Sequence, residues 1–324
     1  MTYDQSIVID MHNDMPTKVL DNRYDPDVAH PPGDGNHTDL PRLIASGLTA
    51  TVLVSWVDAT YATQTPDGSF ARALAGLDVI RAFVARHPDR LLFADTADDV
   101  RAAKRARKIA IFAAVEGGHA IENSLEKLAA LRERGARYLT LTWNNGNDWA
   151  GSSKGVDGTR TGGLTAFGRE VIRMMNRIGM LVDVSHVSRE TLADVLTVSD
   201  SPVIASHSSA RALNDHDRNL DDDQLRAIAA SGGVVNVNFY PKFLDANYPS
   251  PMPLAKVIDH IEHVARVAGI DHVGLGSDFD GISAVPVGLE DVQAMPRIAD
   301  ALLDRGWPAA EIDKVLGLNV LRLL

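Results

Sequence analysis

Six residues of this sequence are of the right type to do chemistry together, and each closes or follows a short apolar run. His12 and Asp14 end IVIDMHND, Glu116 ends FAAVE, His186 ends LVDVSH, His207 ends VIASH, and Asp278 follows GLGS. Imidazole and carboxylate are the donor set of zinc and related divalent ions. The chain has 11 histidines and no cysteine, so disulfides, thiolate metal sites and cysteine nucleophiles are excluded. Any metal must sit on His, Asp or Glu. Taken singly, each residue has an ordinary explanation: a histidine after a strand is most often structural, and Asp14 or Asp278 could cap the next helix. Taken together they describe a metal centre, because a desolvated group of this kind is costly unless an ion or partner compensates it.

The elements that must position these residues are legible as periodicity. Apolar, β-branched runs recur at Ile7–Met11, Thr49–Ser55, Ile109–Val115, Tyr138–Thr142, Met180–Ser185, Val203–Ser206, Gly233–Asn238 and His272–Gly276. Near-continuous apolar runs are the mark of buried parallel strands. Helical spacing lies between them. Leu74, Leu77, Ile80 and Val84 share one face, as do Leu125, Leu128 and Leu131, for which Asn123 is the expected N-cap with Glu126 three residues on. Asp221 with Gln224 repeats that signal, and Gly232 and Gly269 are expected helix stops. Eight strands alternating with helices predict a (β/α)8 TIM-type barrel occupying residues 1–324 as a single catalytic domain, with a doubly wound open sheet as the alternative. In a barrel all carboxyl strand ends open on one face, so the six residues converge there. His12 and Asp14, two apart on an extended segment, are expected to point the same way. Tyr24–Asp39 and Asn144–Gly163 read as long loops.

Other residues near those strand ends have both a plain and a functional reading. Arg218, among acids in DHDRNLDDD, is either a surface ion pair or a bidentate grip on a substrate carboxylate. Tyr240 in NVNFYPKF is either packing or substrate contact. His30, His37, His87, His260, His263 and His272 read as structural or surface, and no chemistry calls for His119 or His216. Gly274-Leu275-Gly276 lacks the glycine order of a phosphate cradle.

A net charge of −11 argues against nucleic acid, which needs a basic face. The amino-terminal residues MTYDQSIVIDMHND lack the apolar core of a secretory signal, and no run reaches the ~18 apolar residues of a membrane span. A cytoplasmic location without membrane contact is therefore expected.

The motifs VIDMHNDMP, AVEGGHAI, LVDVSHVS, ASHSSAR, RNLDDD, GGVVNVNFYPKFL, GLGSDFDG and GLNVLRLL resemble, in order and approximate spacing, those of the membrane dipeptidase (renal dipeptidase, dehydropeptidase) family. The resemblance runs from residue 8 to residue 322. It implies a (β/α)8 barrel with two Zn2+ per chain: His12 and Asp14 on one ion, His186 and His207 on the other, and Glu116 bridging. It implies Asp278 as the acid/base residue, Arg218 as the grip on the substrate carboxylate, and Tyr240 in the substrate pocket. The activity implied is hydrolysis of dipeptides, with tolerance of a D-residue at the C-terminal position. A homodimer is also implied, with the tail Leu316–Leu324 either at the subunit contact or closing the barrel bottom. The family usually reads Thr-His-Asn after the fourth strand, where this chain has Thr142-Trp143-Asn144. Asn144, Asn145 or Asn147 are then candidates for an oxyanion donor. Two other readings stay open: a barrel amidohydrolase acting on a cyclic amide, lactone or phosphoester, and a metal-bound binding protein without turnover. The first group commonly begins His-x-His, unlike His12 and Asp14, and the retained Asp278 counts against the second.

Overall fold

The structure is a computed structural model that describes residues 3–31, 33–61, 67–154 and 162–324. Among the described residues nine strands form one parallel sheet: β1 Ile9–Asn13, β2 Ala50–Trp56, β3 Leu91–Phe93, β4 Ile109–Glu116, β5 Ala136–Thr140, β6 Leu181–Asp183, β7 Ile204–Ala205, β8 Val234–Val237 and β9 Val273–Leu275. Their order is β2-β1-β9-β8-β7-β6-β5-β4-β3, and β2 also pairs with β4 in register Ala50↔Ala110 to Trp56↔Glu116. That second pairing closes eight strands into a barrel and removes the open-sheet alternative. The ninth, β3, pairs only with the first half of β4 (Leu91↔Ile109 to Phe93↔Ile111), below the point where β5 takes over at Ala113↔Ala136. A three-residue strand is too short to show a period, which is why the sequence pattern does not reveal it.

Alternation along the strands builds two apolar layers. Ile9, Met11, Val52, Phe112 and Tyr138 fill the interior with Val320 and Leu321 of the carboxyl tail. Leu53, Ile111, Val115, Leu139 and Val235 face outward, against helices such as Gly68–Arg86 and Ala255–Ala268. Each such side chain contributes roughly 1.5–3 kcal/mol on full burial. Val320 and Leu321 are buried, while Leu318 is exposed, so the tail closes the barrel bottom.

Local signals set the helix ends. Asp221 accepts from Gln224 N at 3.0 Å while Gln224 Oε1 accepts from Asp221 N at 3.0 Å, a complete capping box. The helix Leu125–Glu133 is capped by Ser124, whose Oγ accepts from Lys127 N at 3.2 Å, and not by Asn123. Asn123 sits at φ +57, outside the extended conformation an N-cap adopts. Part of the expected loop Asn144–Gly163 lies outside the described residues, as does Pro32 of the loop Tyr24–Asp39. Among the described residues, no helix is long and apolar enough to cross a membrane.

Candidate metal centre and active site

Alternation along β4 puts Glu116 on the interior face with Ala110, Phe112 and Ala114, at the carboxyl rim. Gly117 then turns the chain at φ +105, a conformation suited to glycine. His12 reaches the rim differently. The β1–β2 register shifts between Asp10 and Asn13, and such a bulge re-aims a side chain. Asp14 has left the strand and sits at the start of the helix Met15–Asn22, where its side chain makes no cap hydrogen bond. His12 and Asp14 do meet, with Nε2 to Oδ2 at 3.3 Å. They meet because of the bulge and the turn into the helix, not because of strand alternation. His186 and Asp278 lie just beyond β6 and β9 at φ +69 and +63. Such strained backbone typically costs about 1–3 kcal/mol and clusters at functional sites.

These elements bring three of the expected residues, His12, His186 and His207, onto the Glu116 carboxylate. Glu116 Oε2 lies 3.7 Å from His12 Nε2. Glu116 Oε1 lies 2.8 Å from His186 Nε2 and 3.4 Å from His207 Nε2. The two Nε2 atoms are themselves 3.0 Å apart. Glu116 thus presents one oxygen to the His12–Asp14 side and the other to the His186–His207 side.

The far sides of the imidazoles are fixed by hydrogen bonds. Tyr138 donates its hydroxyl proton to Met11 O at 2.9 Å, so at 2.8 Å it accepts from His12 Nδ1. Ser206 Oγ donates to Asp183 Oδ2 at 2.6 Å and accepts from His207 Nδ1 at 2.8 Å. Both rings therefore carry a proton on Nδ1 and turn Nε2 toward Glu116 and Asp14. His12 Nε2 and Glu116 Oε1 are buried without a hydrogen-bond partner. Burial alone would lower the His12 pKa, but Asp14 and Glu116 override it and hold the group well above its usual value. The cluster demands a positive charge at this point, and a metal ion meets the demand as a proton does. His12, Glu116 and His207 form one group able to hold an ion, and His12, Asp14 and Asp278 another. The donor set fits a divalent metal.

Around this cluster opens a cavity of about 330 Å³, lined by Arg218, Tyr240, Asn144 and Asp278 among others. Asp278 Oδ2 accepts from Asn238 Nδ2 at 2.8 Å. Burial first, then the Asp14 and Glu116 charges, push its carboxyl up to about 8. Arg218 is buried, donates to His207 O at 3.2 Å, and stacks over the Phe243 ring at 5.4 Å. Among the described residues its Nε has no hydrogen-bond partner and no carboxylate stands within ion-pair distance of the guanidinium. Burial lowers its pKa to about 10. Tyr240 is half-buried, with its hydroxyl 3.2 Å from Ser283 Oγ. Asn144 lines the cavity, whereas Asn147 spends its side chain on Leu141 O, Trp149 N and Ala150 N. Asn145 lies against His119, with its Nδ2 3.5 Å from Nδ1.

Several contributors are not apparent in the sequence reading. Asp183 is fully buried and takes Thr140 Oγ1 and Ser206 Oγ on Oδ2, both at 2.6 Å. Asp10 takes Ser277 Oγ at 2.6 Å, beside Asp278. The available signal is an acid two or three positions before His12 and His186, in IDMH and VDVSH. Gly281 stands against Asp14 and Asp278, and a Cβ there would collide with both carboxylates. His37, His260, His263 and His272 bond to neighbouring backbone or surface acids, in keeping with a structural role.

A model of the membrane dipeptidase family, peptidase family M19, matches residues 2–324. The chain belongs to this family. Solved structures agree with that membership. A family M19 metallopeptidase described as dipeptidase AC is 29% identical, with 98% of this chain and 97% of that chain covered and a TM-score of 0.87. A metallopeptidase from Rhodobacter sphaeroides, liganded with a phosphinate mimic of the dipeptide L-Ala-D-Ala, is 28% identical with 98% of each chain covered and a TM-score of 0.86. The probable dipeptidase PvdM from Pseudomonas aeruginosa shares the fold at 24% identity, with 99% and 95% covered and a TM-score of 0.89. As a member of the membrane dipeptidase family, this chain is a metal-dependent dipeptidase, which sets aside the amidohydrolase and binding-protein alternatives.

Proposed function

We propose that the chain is a binuclear zinc dipeptidase that binds a dipeptide by its free carboxylate and accepts a D-residue at the C-terminal position. The observation that carries the two-metal reading is the divided Glu116 carboxylate, one oxygen facing His12 and the other facing His186 and His207. His12 and Asp14 would hold one ion, His186 and His207 the second, and Glu116 both. When bound, such a pair supplies Lewis acidity toward a carbonyl and acidifies water to a pKa near ~7. The chain's own residues do the rest. Arg218, a buried cation with no carboxylate partner among the described residues, takes the substrate's terminal carboxylate. An unpaired buried charge is expensive, and a bound carboxylate removes that cost. Asp278, held by Asn238, carries a proton to the departing amine. A cavity of about 330 Å³ has room for a dipeptide. Acceptance of a D-residue is supported by the relative that binds the L-Ala-D-Ala mimic.

The test combines elemental analysis with turnover. Protein purified without chelator should hold close to two zinc ions per chain and should hydrolyse a dipeptide far faster than its C-terminal amide. A metal content near zero that added zinc does not raise refutes the metal assignment. Equal rates on acid and amide refute the role of Arg218.

A further inference from the structure

Two tryptophans, Trp56 and Trp143, line the cavity that Arg218 also lines. Trp56 ends β2, and Trp143 follows β5; these strands flank β4, which carries Glu116. Around the closed barrel β2 is the fourth strand from β7 in either direction. Trp56 therefore rises on the opposite side of the mouth from the loop after β7, which carries Arg218. The two rings meet edge to face, with centroids 4.9 Å apart and planes at 69°. Both are half-buried, both line the same cavity as Glu116 and Arg218, and neither belongs to the apolar clusters of the core. Core packing does not account for them, and among the described residues no Lys or Arg stands over either ring.

We propose that Trp56 and Trp143 form the subsite for the side chain of the substrate's N-terminal residue, and that this subsite selects an aromatic or large apolar group. The inference rests on the reading that Arg218 holds the terminal carboxylate. Two residues of extended chain span at most about 7 Å. With the carboxylate at Arg218 and the scissile carbonyl over Glu116, the first residue lies toward β2 and β5. Tyr240 and Phe243, on the Arg218 side, then border the second residue. An aromatic pair already set edge to face offers a further ring an offset or edge-on contact. A methyl group would leave most of that apolar face wet.

The test compares kcat/KM for phenylalanyl-alanine, alanyl-phenylalanine and alanyl-alanine on the metal-loaded protein and on Trp56→Ala, Trp143→Ala and Trp143→Phe. The wild type should favour phenylalanyl-alanine over alanyl-alanine by at least about 10-fold, the lower range for one apolar pocket. Each alanine variant should bring that ratio toward one, mainly through KM, and Trp143→Phe should keep most of it. Metal content and thermal melting show whether a variant has lost the site or the fold; Trp143→Phe keeps the test open if an alanine variant does not fold. A wild-type ratio near one overturns the inference, as does a preference for alanyl-phenylalanine or a ratio unmoved in the variants. Turnover of none of the three overturns the dipeptidase reading and this inference with it; turnover of all three without discrimination overturns the inference alone.

Discussion

The Tyr138 hydroxyl lies 2.8 Å from His12 Nδ1 and gives its own proton to Met11 O at 2.9 Å, which fixes the tautomer of the imidazole at the centre of the site. Tyr138→Phe removes that acceptor and leaves Met11 O and His12 Nδ1 without this partner. Zinc affinity should fall on the order of 10–100-fold, as is typical when a ligand's supporting partner is lost. Stability should fall by about 1–3 kcal/mol. Competition with a chelating dye and a denaturant titration check the two effects separately.

Arg218→Ala should separate recognition from chemistry. The variant should lose most of the discrimination between a dipeptide and its amide, with the loss appearing in kcat/KM for the acid. Arg218→Lys keeps the charge but not the bidentate fork, so it should recover only part. Steady-state kinetics on the substrate pair checks this, and unchanged discrimination in Arg218→Ala would remove the residue from the carboxylate subsite.

Asp278→Asn tests proton transfer against a structural role. Asn keeps the shape and can still meet Asn238, but it cannot pass the proton. The rate should fall on the order of 10²–10⁴-fold. Zinc content should stay near that of the wild type, because the five expected ligands are untouched. Turnover within a few-fold of wild type would mean that the proton comes from elsewhere.

His260 should make the fold acid-sensitive. Its Nδ1 accepts from Ala210 N at 3.0 Å and its Nε2 donates to Leu244 O at 2.8 Å, an arrangement that requires the neutral ring. Burial lowers its pKa from 6.5 to about 4. Above pH ~6.5 folded and unfolded chains are both neutral here, so the group carries no penalty. As pH falls through the window toward 4, the unfolded chain takes the proton first and stability is lost, in total by about 3 kcal/mol. Denaturant midpoints at pH 7 and pH 5 should diverge less in His260→Gln than in the wild type. Equal slopes would show that His260 does not control this window.

The sequence by itself determined the alternation of strands and helices and the residues at the strand ends; closure into a barrel rather than an open sheet was decided by the pairing of β2 with β4. A buried parallel strand needs an unbroken apolar run, so a His, Asp or Glu at its end stands out against its neighbours. Asp221 with Gln224 and the stop at Gly269 are equally local and read correctly. The tertiary structure decided everything that depends on residues distant in the chain. His12 and Tyr138 are 126 residues apart, and only closure of β2 on β4 brings β5 across the barrel from β1. The bulge that turns His12 inward depends on the β2 register. The relay from Asp183 through Ser206 to His207 depends on β6 lying beside β7. Ser124 displaces Asn123 as a cap because the chain reaches that helix through a left-handed turn at Glu122 and Asn123. Trp143 directly follows the run Tyr138–Thr142, but nothing near it in sequence pairs it with Trp56. Its place beside Trp56 follows from β2 and β5 flanking β4. Periodicity reports which side of its own element a residue occupies; which residue it then faces is set by how the barrel closes.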